Sequence, residues 1–207
     1  QEQDSTLIGG KNRLPIYIQE QLADHYLSKD PEKNKTIVIG EKQVQFDSRY
    51  IDNKGMKSYF DRMYQDIDIY KNNISVISNE FLSPIADGAP NFYKFFITDT
   101  IKTQKPEIIE LSFTPRNTGD MLFEGKIYVT NDRHYAVTGA SFGVNKNINL
   151  NFVRALKIDL NFEQNDKGKY SLSKSSLLAD FGIGKTKGIG FTGERSVTFK
   201  NYRYDTV

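Results

Sequence analysis

A chain of 207 residues suits one domain, or one domain with a ragged end, and can bury about 70% of its unfolded surface without a disulfide or a metal. Its 28 Lys and Arg against 26 Asp and Glu leave a formal charge of +2, too balanced for a protein that binds nucleic acid by neutralising phosphates. No cysteine is present, which excludes a disulfide framework, a CxxC redox site and thiolate zinc sites. The aromatic residues are skewed, with 14 Phe and 12 Tyr but no Trp, and favour pleated, half-buried β structure. Residues 1–10 have no apolar core of the kind a secretory leader carries, and no apolar run approaches the ~18 residues of a transmembrane helix. The chain is therefore expected to be soluble, with no transmembrane segment.

Residues 1–13 read as a flexible leader, with Gly9-Gly10-Lys11-Asn12 as a breaker cluster. A single β-rich domain is expected over 14–207. Between Leu14 and Leu27 the apolar residues Ile16, Ile18, Leu22 and Tyr26 fit both a strand and a helix, and periodicity leaves both open. Thr36–Phe46 reads as a strand. Asp52–Tyr70 is the best helix candidate, with Asp52 as its cap and Met56, Tyr59, Phe60, Met63 and Tyr64 forming one apolar stripe. Tyr70–Ile77 is less regular. Phe81–Phe96 opens on turns and becomes a strand near Asn91.

Strands are then expected at Phe92–Thr100, Glu107–Thr114, Gly125–Thr130, His134–Val144, Asn151–Phe162, Tyr170–Phe181 and Ser196–Tyr204. The turn clusters Gln104-Lys-Pro106, Asn117-Thr-Gly-Asp120, Asn131-Asp-Arg133 and Asn165-Asp-Lys-Gly168 separate several of them. In Leu156–Phe162 every second residue is apolar, so one face buries and the other meets water. Short connections between successive strands predict an antiparallel meander. Gly182–Gly193 reads as a Gly-rich loop or a loosely paired hairpin.

No residue cluster announces a reaction. Ala179-Asp-Phe-Gly-Ile-Gly-Lys185-Thr186 resembles a phosphate-binding loop with Ala for the first Gly, but Gly188, Gly190 and Gly193 follow where a helix must start. His25 and His134 are the only histidines, and neither stands in a nucleophile-elbow or HExxH pattern. Asp66, Asp68, Asp87 and Asp99 are candidates for paired-carboxylate hydrolysis, with Asp66 and Asp68 reading as an exposed face. Lys185, Lys187 and Arg195 read as a solvated loop. Ser83, Pro84, Asp87 and Gly88 combine a Ser-Pro and an Asp-Gly turn, with Gly supplying a positive φ, and are the interaction-loop candidates. The Phe and Tyr content fits a plain aromatic core or a concave apolar surface for a lipid.

Five blocks in order carry a resemblance: Leu14-Pro-Ile-Tyr-Ile-Gln-Glu-Gln-Leu-Ala-Asp-His-Tyr26; Phe81-Leu-Ser-Pro-Ile-Ala-Asp-Gly-Ala89 with Phe92-Tyr-Lys-Phe95; Phe113-Thr-Pro115; Phe123-Glu-Gly-Lys-Ile-Tyr128; and Asn149-Leu-Asn151-Phe152-Val153. From Leu14 onward the chain resembles the middle, periplasmic region of uncharacterised Bacteroidetes outer-membrane proteins. These have an N-terminal carboxypeptidase-regulatory-like domain and a C-terminal β-barrel. The resemblance implies no reaction; the carboxypeptidase label belongs to a small β-sandwich found beside peptidases. A second similarity, to the outer-membrane lipoprotein carrier, is at the level of fold and favours a strand over Leu14–Leu27.

The expected fold is α+β and β-rich: an open antiparallel sheet, a half-barrel like the lipoprotein carrier, with one or two helices on its concave face. The expected role is that of a non-enzymatic domain on the periplasmic side of the outer membrane, in the cell envelope. It would dock against, assemble with or support the adjacent barrel of the same polypeptide. The alternative is a module binding a lipid or lipoprotein acyl chain. The enzyme reading, a hydrolase using Asp87 or His134, ranks below both. No cofactor, metal or nucleic acid is expected.

Overall fold

The computed structural model describes residues 6–8, 11–13, 17–28, 33–45, 63, 66–145, 147–148, 150, 153–165, 167–182 and 190–203. The chain forms two compact units, residues 1–57 and 58–207, where the sequence suggested one domain from residue 14.

In the first unit, β1 (Thr6–Ile8) and β2 (Lys11–Arg13) pair antiparallel across Gly9-Gly10, so the expected leader carries a short ladder. The ambiguous segment is a strand, β3 (Tyr17–Tyr26), paired with β4 (Lys35–Gln45). Ile18 lies opposite Val44 and Asp24 opposite Ile37, with a register shift between Leu22 and Ala23. A four-residue spacing suits either structure; the ladder to a β-branched partner strand decides it.

The second unit begins its described part at Met63, which is helical and buried. Asp52–Arg62 of the expected helix lies outside the described residues, as do Tyr64 and Gln65. Its C-terminal part is a correction: Asp66–Tyr70 is not helical. There Ile67 and Ile69 are buried while Asp66, Asp68 and Tyr70 are exposed, a period of two that belongs to extended chain. The irregular stretch that follows is a hairpin, β5 (Asn73–Val76) with β6 (Asn79–Leu82). Ile77 in its turn takes φ 61 while remaining buried, an unusual conformation for a β-branched residue.

A four-residue helix, α1 (Ala89–Phe92), leads into the main sheet. Its seven strands are β7 (Tyr93–Ile101), β8 (Ile108–Pro115), β9 (Phe123–Thr130), β10 (Val137–Val144), β11 (Val153–Gln164), β12 (Tyr170–Gly182) and β13 (Gly190–Thr198). Spatial order follows chain order, every neighbouring pair is antiparallel, and the sheet stays open, with β7 and β13 at its edges. The meander is as expected. The Gly-rich loop is partly a correction, because Gly182 and Gly190 already face each other in the β12–β13 ladder. His134–Ala136 precedes its strand instead of joining it.

Among the described residues the sheet is not covered by the expected one or two helices. Among the described residues only Met63 and the short α1 are α-helical. The described cover is an irregular strap formed by Met63 and residues 66–92. It starts over β13, where Met63 lies against Gly193 and Asp66 meets Arg195 at 3.1 Å. Tyr70 then sets its ring edge-on to Phe162 of β11 at 6.0 Å, and Phe81 stacks on Phe123 of β9 at 4.6 Å. Beyond α1 the chain becomes β7 at the opposite edge. Ile67, Ile69, Ile74, Val76 and Phe81 are thereby buried against Ile127, Ala140, Ile158, Leu160 and Leu177 of the sheet. Apolar burial of this extent is the main stabilising term of the unit.

Gly125 is a tight point beside that core. It lies opposite both Phe113 and Phe142, whose ring centroids approach to 6.3 Å. A Cβ at this position would overlap the Ser141 carbonyl oxygen and stand 2.5 Å from the Phe142 Cα. Gly125→Ala is expected to destabilise the protein by ~3 kcal/mol or more, since backbone has to move. Chemical denaturation of the variant checks this, and a loss under ~0.5 kcal/mol would contradict the packing described.

Candidate functional site

The four interaction-loop candidates divide by depth. Ser83 and Pro84 are fully buried. The Ser83 hydroxyl donates to the Ile69 carbonyl at 2.5 Å and accepts from the Ile85 N–H at 3.3 Å, and its own N–H bonds the Asn72 carbonyl at 2.8 Å. These two residues fasten the strap, so their side chains face no partner. Asp87 is exposed and Gly88 half-buried. Gly88 corrects the expected turn: it caps α1 with φ −83 and ψ −4, ordinary right-handed backbone, and a Cβ there would meet nothing within 4 Å.

The segment's chemical centre is a residue that sequence inspection passed over. Tyr93 is fully buried; its hydroxyl donates to the Leu82 carbonyl at 2.7 Å and accepts from the Phe123 N–H at 3.3 Å. Burial pushes its pKa up to about 12, with the Phe123 bond pulling the other way. Its ring meets Phe113 edge-on at 5.5 Å, and the aromatic chain continues through Phe142 and Phe123 to Phe81. The face expected to be concave and aromatic is thus filled by the protein's own rings and strap.

The other face of the sheet is polar, and its contacts cross strands. Lys126 bonds Glu110 at 2.7 Å, and Glu110 also accepts from Thr98 at 2.8 Å. The Lys126 ammonium, and then the Thr98 hydroxyl, hold the Glu110 carboxyl below its usual range. Ser141 donates to Asp159 at 2.6 Å, and Lys157 pairs with the same carboxylate at 2.9 Å. These groups bond one another from strand to strand across the face. Only strand register brings them together, which is why the sequence did not disclose them.

The remaining motifs take structural places. His134 donates its backbone N–H to Asp132, which also accepts from Thr130 and Tyr135 and caps the β9–β10 turn. That set of donors, led by the His134 N–H, lowers the Asp132 pKa. His25 lies in the first unit, its Nδ1 3.0 Å from the Thr36 hydroxyl. Asp68 accepts from the Tyr70 N–H, Asp99 from the Thr100 N–H, and Asp66 from Arg195. Arg195, expected in a solvated loop, lies on β13 with its side chain only 15% exposed, because the strap runs across it. Ala179 and Phe181 of the phosphate-loop lookalike are buried on β12, and Lys185, Thr186 and Lys187 lie outside the described residues. Among the described residues no group of three or more His, Cys, Asp or Glu is placed to hold a metal.

What remains open to a partner is apolar surface. On the β3–β4 hairpin Ile18, Leu22, Tyr26, Ile37 and Val44 are all exposed, and the register sets them on one face. A shallow, open depression lies in that hairpin between Glu20–Leu22 and Gly40–Lys42. On the main sheet Phe92, Phe96 and Ile97 are exposed in and just before β7.

Residues 4–202 match the profile of a family of unknown function, DUF5686, and the chain belongs to that family. No curated protein and no solved structure matches it. Among the described residues no helix is long and apolar enough to cross a membrane, which leaves strand-built barrels unaddressed.

Two substitutions test the site's anatomy. Tyr93→Phe strands the Leu82 carbonyl and the Phe123 N–H and should cost ~1–3 kcal/mol at neutral pH. Between pH 10 and about 12 unfolded Tyr93 loses its proton while folded Tyr93 keeps it, so native stability falls across that window. Tyr93→Phe should flatten this alkaline loss in pH-dependent denaturation; equal slopes would refute the buried hydroxyl. Gly88→Ala should leave stability within ~0.5 kcal/mol, because the site is roomy and its backbone ordinary.

Proposed function

We propose that this DUF5686 domain is a non-enzymatic docking module on the periplasmic side of the outer membrane, within a larger outer-membrane protein, and that it supports the barrel of the same polypeptide. The apolar face of the β3–β4 hairpin carries this reading. Two strands on their own are marginal in water, and five exposed apolar side chains on one face gain most when another protein surface covers them. Glu20 and Lys42, opposite each other within that face, supply the polar contacts that fix register on a partner. The five sequence blocks that resemble Bacteroidetes outer-membrane proteins give the partner as the adjacent barrel.

The rival is the acyl-chain module, read as a half-barrel of the lipoprotein-carrier kind with the strap in place of helices. The open antiparallel sheet favours it. The filled aromatic face ranks it second, because a lipid would have to displace Phe81, Ile69 and Ile74 from full burial.

The deciding measurement is the mass and fraction of the native protein, detected with an antibody to this domain. A product far heavier than 23.7 kDa in the outer-membrane fraction is expected. A soluble product near 23.7 kDa would overturn the docking role, and a lipid adduct on it in native mass spectrometry would establish the rival.

A further inference from the structure

The free edge of β7 is a separate surface from the hairpin. Among the described residues its only ladder partner is β8, and no described strand pairs with its outer row of N–H and C=O groups. Protected edges commonly place charge or proline at their centre. Here the centre is Phe95-Phe96-Ile97, with Phe96 53% and Ile97 70% exposed. The opposite edge, β13, has no exposed large apolar residue among those described.

The register with β8 sorts the side chains of β7. Lys94, Phe96 and Asp99 stand opposite Thr114, Ser112 and Glu110, on the polar face. Tyr93, Phe95 and Ile97 stand opposite Pro115, Phe113 and Leu111, on the core face. Thr98 is the extra residue of a bulge between Ile97 and Asp99.

We infer that β7 pairs antiparallel, about Phe96, with β7 of a second copy of this chain, joining two seven-stranded sheets across a twofold axis. The strand is self-complementary in that arrangement. On the polar face each Phe96 meets the other, and past the bulge Lys94 of each copy meets Asp99 of the other. On the core face Phe95 of each copy meets Ile97 of the other. Aromatic, aromatic–aliphatic and opposite-charge cross-strand pairs are each favourable, and the symmetry makes the last two twice. The bulge, which by itself would shield an edge, here restores the register that sets the charges on one face.

The experiment is sedimentation equilibrium of the full 207-residue chain over a concentration series. A reversible monomer–dimer equilibrium is expected. Ile97→Lys and Lys94→Asp should each raise the dimer dissociation constant about tenfold or more, and Lys94→Asp combined with Asp99→Lys should recover most of that loss. The three substituted side chains, Lys94, Ile97 and Asp99, are exposed, and circular dichroism melting of each variant checks that the monomer fold is kept. A monomer at every concentration overturns the inference. So does a dimer indifferent to Ile97→Lys, or a charge swap that rescues nothing. Because the hairpin is untouched, none of these outcomes bears on the docking role.

Discussion

One buried hydroxyl ties together the parts of the second unit that the sequence keeps apart. Tyr93 sits where the strap ends and the sheet begins, and its oxygen bonds the last residue of β6 and the first of β9. Both partner groups are backbone, and neither has water to fall back on at this depth. The oxygen therefore fixes the height of the strap above the sheet, and with it the stacking of Phe81 on Phe123. Ser83, ten residues earlier in the chain, repeats the device, holding Ile69 down through its carbonyl.

An antiparallel meander has two faces to satisfy, and this one satisfies them differently. The core face is closed by aromatic rings around Gly125, where the lack of a side chain lets Phe113 and Phe142 approach. The polar face is closed by cross-strand ion pairs and hydroxyls that leave the sheet open to water. Among the described residues apolar surface remains exposed along β7 and on the β3–β4 hairpin.

Much of this was legible in the residues. Alternation in Leu156–Phe162 gave the inward Leu156, Ile158 and Leu160 correctly, and Asn165 and Gly168 form the turn their chemistry implies, Gly168 at φ 78. The failures have a common physical origin. The helix expected through Tyr70 rested on a stripe of apolar residues, yet its last five residues alternate because the sheet below demands extended chain. The Ser-Pro and Asp-Gly turns were identified, but whether Ser83 faces solvent or core depends on Ile69, which turn chemistry does not see. Glu110 with Lys126, and Tyr93 with Phe123, depend on strand register, a property of the assembled sheet.

The strap also has a temporal side. Asp66 and Arg195 are separated by 129 positions, and the cover of the core precedes in sequence every strand it covers. Synthesis therefore delivers Ile67, Ile69, Ile74 and Phe81 long before the last strand that seats the strap's first end. Until β13 arrives, those side chains have no complete surface to lie on, and contacts of such long loop closure form late. The second unit therefore completes its fold only once β13 has been made, and a chain interrupted before Gly190 leaves the strap without the strand that seats its first end.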